Sequence, residues 1–227
     1  MVKHPFCPID LDQQPTASGE VRMFLWERPS GPTDSTLILA HGAGAPMDSP
    51  FMDEMARRLA QSGIATVRFE FPYMAARRED GRRRPPNPQA VLLDCWRDVH
   101  AQVRQQVTGQ LAIGGKSMGG RMASLLADEL KADALVCLGY PFYAAGKPEK
   151  PRVAHLADLR TRTLIVQGER DALGDRETVA GYCLSDAIQL HWLEAADHDL
   201  KPLKASGHTH AEHLQAAAEQ IARFLNG

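Results

Sequence analysis

Short apolar runs alternate with longer amphipathic segments along most of the chain. Several of the short runs are apolar at every position, which is typical of strands covered by helices on both faces of a sheet. The longer segments repeat apolar residues at helical spacing. In one of them, Met52, Met55 and Leu59 lie on one helical face. This alternation predicts βαβ units and a mostly parallel sheet. The predicted strands are 21–26, 36–40, 65–71, 111–114, 134–138, 163–167 and 188–193.

The first predicted strand belongs to an N-terminal hairpin, and the others are separated by helices. Thr209 and Glu212 have the spacing of a capping box at the start of the last helix. Two stretches rich in Pro, Arg or Gly, 74–88 and 141–151, lie between these elements and are predicted to be loops. The predicted helices are 51–61, 89–107, 119–130, 176–184 and 209–225.

Length and composition favour a single domain over residues 1–227. The chain has 227 residues, of which 44% are hydrophobic, enough to bury a sizeable core. The net charge is only −2 with 24% charged residues of both signs, so neither nucleic acid nor an anionic membrane is an expected partner. No apolar run approaches the ~18 residues of a membrane span, and the N-terminus lacks the apolar core of a signal peptide.

The cysteines give no indication of a disulfide framework or a zinc site. Cys7, Cys95, Cys137 and Cys183 lie far apart and form no C-x-x-C pair. A reducing cytoplasm is therefore the expected location.

The segment 110–120 carries the motif with the most specific chemistry. It reads Q-L-A-I-G-G-K-S-M-G-G, a strand that ends in G-x-S-x-G and continues as a helix. In that context Ser117 is the predicted nucleophile, on a sharp turn that needs small residues at Gly115 and Gly119. The N–H of Met118, at the positive end of the helix, is a predicted oxyanion donor. The alternatives are a glycine-rich strand-to-helix turn without catalytic chemistry and a phosphate loop, and the phosphate loop lacks its G-x-x-x-x-G-K-[ST] spacing here.

A serine nucleophile needs a histidine base and a carboxylate that orients it, here in the order Ser, acid, His. The strand 163–167 runs into Gly168-Glu169-Arg170-Asp171, which places carboxylates at its carboxyl end. Asp171 is the predicted acid. Glu169 and Asp175 are alternatives, and such a carboxylate can also simply cap the helix that begins near Asp175.

The predicted base is His198, in the polar loop that follows the last strand. His191 lies within that strand and is expected to be packed or at the surface. The neighbouring Asp197 and Asp199 are expected to shape the loop. A histidine group at the start of the last helix suggests a metal at first sight, but it lacks a strong ligand pattern, so surface positions are expected and no metal is predicted. The group consists of His208, His210 and His213.

A second oxyanion donor is expected in the loop after strand 36–40. That loop reads H-G-A-G-A over residues 41–45, and its small residues let a backbone N–H face a substrate carbonyl. Ala43 is predicted to form the oxyanion hole together with Met118. His41 is expected to have a structural hydrogen-bonding role.

An arginine-rich stretch follows strand 65–71 and is expected at the catalytic edge of the sheet. It can bind an anionic substrate, or its charges can be solvated or paired with Glu79 and Asp80. Tyr73 and Tyr140 are further candidates for substrate contact. The arginines are Arg77, Arg78, Arg82, Arg83 and Arg84.

These motifs together resemble the α/β-hydrolase superfamily along nearly the whole chain. The closer resemblance is to small, lidless hydrolases related to dienelactone hydrolases and to testis-expressed and chromatin-complex relatives. It implies Ser117 as nucleophile, Asp171 as acid and His198 as base. The segments that carry it are H-G-A-G-A (41–45), R-F-E-F-P-Y-M (68–74), G-G-K-S-M-G-G-R (114–121), G-Y-P-F (139–142), Q-G-E-R-D (167–171) and D-H-D-L (197–200).

Two departures bear on function. Dienelactone hydrolases use a cysteine nucleophile, so their substrate is not transferred to a chain with Ser117. Some chromatin-associated relatives are scaffolding subunits, so the fold alone does not guarantee catalytic turnover. The expected function is a cofactor-free serine hydrolase, a carboxylesterase acting on small soluble esters. Thioesterase, amidase or peptidase activity is the enzymatic alternative, and a protein-interaction module is the other. The segment 139–162 is short for a lid, so interfacial lipase activity is not expected.

Overall fold

An eight-stranded sheet organises the computed structural model of the protein, which describes residues 9–15 and 21–227. The predicted strands all form within two residues of their expected ends; the third, for example, stops at Phe69, two residues early. In chain order, the strands are β1 (Ile9–Pro15), β2 (Val21–Glu27), β3 (Ser35–Ala40), β4 (Ala65–Phe69), β5 (Gln110–Lys116), β6 (Ala134–Leu138), β7 (Tyr143–Ala144), β8 (Lys147–Pro151), β9 (Thr163–Gly168) and β10 (Ile188–Leu193).

The strand order in the sheet is β1-β2-β4-β3-β5-β6-β9-β10. Strands β3, β4, β5, β6, β9 and β10 run parallel to one another, so their carboxyl ends meet at one edge. Strands β1 and β2 pair as an antiparallel hairpin, and β2 joins β4 antiparallel. The predicted N-terminal hairpin and mostly parallel sheet are confirmed.

Helices cover both faces of the sheet. Apolar residues of β5 alternate between the two sides, with Leu111 and Ile113 in one core cluster and Ala112 in the other. The first cluster is closed by α3 and α4, the second by α1 and α6. The helices are α1 (Pro50–Gln61), α2 (Pro72–Asp80), α3 (Gln89–Arg104), α4 (Met118–Ser124), α5 (Arg176–Ala180) and α6 (His210–Asn226). The capping box predicted at Thr209 is present.

Both stretches predicted to be loops contain regular structure. The arginine-rich stretch begins inside α2, because Pro72 suits the first helical turn and Gly81, at φ 74°, supplies the left-handed C-cap. The other stretch forms the β7–β8 hairpin. Within the described residues, only that hairpin and a short 3-10 helix (Ala154–Leu156) stand between β6 and β9, so no extensive lid covers the sheet edge.

The cysteines within the described ranges are free thiols: Cys95 and Cys137 are buried and Cys183 is exposed. Cys7 lies outside the described residues. None of the helices in 9–15 and 21–227 combines the length and apolar character that a membrane-crossing helix requires.

Candidate active site

Ser117 occupies a strained turn between β5 and α4. Its backbone has φ 52° and ψ −118°, a conformation that costs a residue with a Cβ on the order of 1–3 kcal/mol. The turn is tightly enclosed, because a Cβ on Gly115 would lie 2.5 Å, and one on Gly119 2.6 Å, from the carbonyl oxygen of Ala40. The glycines of the motif therefore let β5 and α4 approach the end of β3.

A continuous hydrogen-bonded chain leads from Ser117 into the core. Nε2 of His198 lies 2.9 Å from Oγ of Ser117, although the two residues are 81 apart in sequence. Nδ1 of His198 lies 2.8 Å from Oδ2 of the fully buried Asp171. Because an ionised carboxylate can only accept, Nδ1 carries the proton, and Nε2 is left to accept from the serine hydroxyl. This arrangement can move a proton off Ser117.

Asp171 lies just beyond β9 and is held by two other donors. The N–H of Leu173 donates to its Oδ1 at 2.8 Å, and Nε2 of Gln167 donates to its Oδ2 at 2.8 Å. Gln167 is itself fully buried, and its Oε1 accepts the N–H of Tyr140 at 2.7 Å. Sequence reasoning missed Gln167. Its signal was a polar amide directly after the apolar residues Leu164 to Val166 of a predicted strand.

The alternative carboxylates are engaged elsewhere. Glu169 accepts the N–H of Ala195 at 3.1 Å and pairs with Arg176 at 2.6 Å; these two contacts lower the pKa of its carboxyl. Asp175 accepts the N–H of Thr178 at 2.8 Å and caps α5. Both therefore serve local structure.

His41 is fully buried at the end of β3 and has the structural role expected of it. Its Nε2 accepts the N–H of Phe71 at 3.2 Å, and its Nδ1 lies 2.6 Å from the carbonyl oxygen of Gly42. Burial lowers its pKa, which favours the neutral ring that these bonds require. The loop that His41 holds reaches Ser117, since a Cβ on Gly42 would lie 3.7 Å from the Cβ of Ser117.

The two predicted oxyanion donors are sequence neighbours of the residues that make this contact. Ala43 is exposed in the loop after β3, next to Gly42. Met118 is the first residue of α4, where backbone N–H groups have no carbonyl partner within the helix. Both amides thus belong to segments that border Ser117.

The two tyrosines proposed to contact substrate are buried, which corrects that expectation. Tyr73 is 3% exposed, and its hydroxyl donates to the carbonyl oxygen of Ala43 at 2.9 Å. Tyr140 is fully buried, and its hydroxyl donates to the carbonyl oxygen of Arg152 at 3.2 Å. Tyr73 is thereby bonded to the loop after β3, and Tyr140 links the chain just after β6 to the segment after β8.

The arginines after β4 differ in their pairing. Arg78 binds Asp48 at 2.9 Å and the buried Glu70 at 2.6 Å, and these hydrogen bonds raise its pKa. The partners expected for it, Glu79 and Asp80, are nearer in sequence, but the turn of α2 directs Arg78 away from them. Of the other arginines, Arg84 pairs with Asp80, Arg77 places Nη1 3.4 Å from the carbonyl oxygen of Gly44, and Arg82 and Arg83 are exposed.

The histidines at the start of α6 are tied to neighbouring segments. His210 Nε2 lies 3.0 Å from the carbonyl oxygen of Asp199, and His213 Nδ1 lies 3.2 Å from that of Leu200. His208 lies 3.3 Å from Glu194. Among the residues described, no group of three or more His, Cys, Asp or Glu side chains is placed to hold a metal ion. His210 and His213 instead contact the loop that carries His198.

Comparison with known proteins shows the same architecture elsewhere. A lidless α/β serine hydrolase from Xanthomonas campestris is 20% identical, with 99% of each chain covered and a TM-score of 0.72. The esterase domain of a Rhodothermus marinus protein is 17% identical, with 96% of this chain and 97% of that one covered and a TM-score of 0.68. Dienelactone hydrolase from Anabaena variabilis is 20% identical, with coverage of 94% and 96% and a TM-score of 0.68. At these identities the likeness shows the fold.

The family assignment comes from the sequence. The model of the alpha/beta hydrolase domain matches residues 33–226, most of the chain. That span contains the strained serine turn, the loop after β3 and the loops that hold Asp171 and His198. The predicted fold is therefore confirmed, and the chain belongs to the α/β-hydrolase family.

Proposed function

We propose that the protein is a serine hydrolase that cleaves small soluble carboxylic esters through an acyl-enzyme on Ser117. The observation that carries the proposal is the unbroken chain from Ser117 through His198 to Asp171, with contacts of 2.9 and 2.8 Å. The strained turn holds the serine in place before any substrate binds. An esterase domain among the structural neighbours supports the ester assignment.

The reaction begins when Nε2 of His198 takes the hydroxyl proton of Ser117. The serine oxygen attacks the ester carbonyl, and the N–H groups of Ala43 and Met118 stabilise the oxyanion. Asp171 stabilises the imidazolium, which then protonates the departing alcohol as the C–O bond breaks. Water, deprotonated by His198, attacks the acyl-enzyme and releases the acid, and the proton returns to Ser117.

The substrate is proposed to be small because the serine turn is partly exposed and the described residues build no extensive lid over it. The segment between β6 and β9 contributes a two-stranded hairpin instead of a lid, and Ser117 and Met118 are partly exposed. A long acyl chain needs an extended apolar surface of the kind that a lid helps to enclose, so short acyl esters are the expected substrates.

Arg77 is the proposed contact for an anionic group on the substrate, in preference to Arg78, Arg82 and the tyrosines. Arg78 is neutralised by two carboxylates, whereas Nη1 of Arg77 reaches the loop after β3 next to Ala43. Arg77→Gln should raise KM for esters that carry a carboxylate and leave KM for neutral esters unchanged. Arg83→Gln, at an exposed position in the same stretch, is the control. Equal effects on both ester types would overturn this assignment.

A fluorophosphonate probe tests the nucleophile directly. The folded protein should be labelled, Ser117→Ala should abolish labelling, and Ser30→Ala, at an exposed serine, should not affect it. A panel of p-nitrophenyl esters, thioesters and amides then ranks the leaving groups, with esters expected to react fastest. Folded protein without labelling would refute the hydrolase and favour an interaction module.

A further inference from the structure

The side chain of Lys116 connects the turn that holds Ser117 to the loop that holds His198. Lys116 is the last residue of β5 and is only 7% exposed. Its Nζ donates a hydrogen bond of 2.8 Å to the backbone carbonyl oxygen of His198. The same ammonium group lies 3.2 Å from a carboxylate oxygen of Asp199. A single buried side chain therefore binds the main chain of the histidine.

The space around this ammonium group is closely fitted. Gly139, at φ 61°, has no room for a side chain, because a Cβ there would lie 3.2 Å from Nζ of Lys116. The same Cβ would lie 2.7 Å from the carbonyl oxygen of His198. The ring of Phe51 lies 5.6 Å from Nζ. The glycine directly after β6 thus leaves room for the contact between Lys116 and the carbonyl of His198.

The contact with His198 accounts for a charge that is otherwise costly. Removing an ammonium group from water is unfavourable, and burial lowers the pKa of Lys116 although carboxylates lie nearby. The side chain of Asp199 is 73% exposed, so this ion pair contributes little stability. A methionine of similar length would fill the same space without the desolvation cost. Packing alone therefore gives no reason for a lysine here.

We propose that Lys116 is a positioning residue for the acyl transfer, holding the backbone of His198 so that Nε2 stays within hydrogen-bond distance of Ser117. The inference rests on the proposed function, because holding Nε2 of His198 near Ser117 matters only for the acyl transfer. Asp171 orients the imidazole ring through Nδ1, while Lys116 fixes the main chain that carries the ring. A displacement of about 1 Å at a reacting group can cost about 100-fold in rate.

Lys116→Met tests the proposal, since it removes the donors and keeps the side-chain length. We expect kcat for p-nitrophenyl acetate, and the rate of fluorophosphonate labelling, to fall about 10- to 100-fold while KM changes less than about 2-fold. Lys201→Met, at an exposed lysine three residues beyond His198, is the matched control and should stay within about 2-fold. Unchanged kcat in Lys116→Met would overturn the proposal.

A second background separates positioning from a general structural effect. In His198→Ala the residual reaction no longer uses the histidine, so adding Lys116→Met should lower it less than about 2-fold. A similar loss in both backgrounds would overturn the proposal. If Lys116→Met does not fold, Lys116→Arg is the test, because it keeps the charge and the hydrogen-bond donors. Activity within about 10-fold of wild type supports the proposal, and a larger loss in folded protein refutes it. A wild-type protein that neither hydrolyses esters nor reacts with the probe refutes the proposed function itself, and this inference with it.

Discussion

Gln167 offers the sharpest test of how the buried end of the site is held. Its side-chain amide donates to Asp171 and also lies 3.2 Å from the carbonyl oxygen of Tyr140 and 3.0 Å from that of Gly174. Its carbonyl oxygen accepts the N–H of Tyr140. Gln167→Met keeps the shape of the side chain and removes these bonds together.

The cost can be worked out from the groups left behind. The buried N–H of Tyr140 loses its acceptor, at about 1–3 kcal/mol, and the carboxylate of Asp171 loses a donor, at about 1.5–3 kcal/mol. Burial of the apolar methionine recovers about 1 kcal/mol. We therefore expect Gln167→Met to lower the free energy of unfolding by about 2–4 kcal/mol, which corresponds to a fall in Tm of about 10 °C for a chain of this size.

Asp171 keeps its bonds to Leu173 and His198, so activity should fall less than with loss of the carboxylate itself. We expect kcat for a p-nitrophenyl ester to fall about 10-fold at a temperature where the variant is folded. Urea unfolding measures the stability term, and Gln189→Met, at an exposed glutamine of β10, is the matched control, expected within about 0.5 kcal/mol of wild type. Stability within about 1 kcal/mol of wild type in Gln167→Met would refute the reasoning.

Three further predictions concern the scaffold. Burial lowers the pKa of His41 below its ordinary value, so below about pH 6.5 the unfolded chain binds a proton that the folded chain does not bind, and stability falls as pH falls. His41→Gln should therefore reduce the slope of the unfolding free energy against pH by up to about 1.4 kcal/mol per pH unit. Equal slopes in the variant and the wild type would contradict this. Arg78→Gln leaves the buried Glu70 without its guanidinium partner. Allowing for the partial exposure of the arginine, the free energy of unfolding in urea should fall by about 1–2 kcal/mol. A fall below about 0.5 kcal/mol would be the contrary result. Gly119→Ala places a Cβ 2.6 Å from backbone oxygens, so it should lower the free energy of unfolding by about 1–3 kcal/mol and slow fluorophosphonate labelling. Gly31→Ala, with open space around it, is the control and should change neither. Equal behaviour of the two variants would count against a tight turn at Gly119.

The parallel sheet and the helix positions could be predicted from sequence because periodicity is a local signal. Strand β9, for example, is apolar from Leu164 to Val166 and is buried throughout. Ser117, Asp171 and His198 could be singled out because each ends or follows a strand, and carboxyl ends of parallel strands meet at one edge. The structure brings these three side chains within hydrogen-bond distance.

The remaining features depend on contacts between distant segments. Arg78 pairs with Asp48, 30 residues earlier, so its nearest acidic neighbours in sequence gave the wrong partners. The burial of Tyr140 depends on how the chain turns after β6, which no local pattern encodes. Lys116 was part of the serine motif, but its direction toward the carbonyl of His198 requires the loop after β10 to fold back 82 residues later. Polar residues at strand ends take their roles from tertiary structure.

The separation of Ser117 and His198 along the chain also bears on how the protein folds. Strands β5 and β10 are not adjacent; β6 and β9 must first take their places between them. Contacts of such long sequence separation form slowly, because much of the chain must be ordered before they can stabilise it. Under the proposed function, a partly folded chain would therefore present a serine hydroxyl without the histidine that activates it. In a refolding time course, chemical reactivity at this residue would report completion of the far half of the sheet, later than any signal from helix formation.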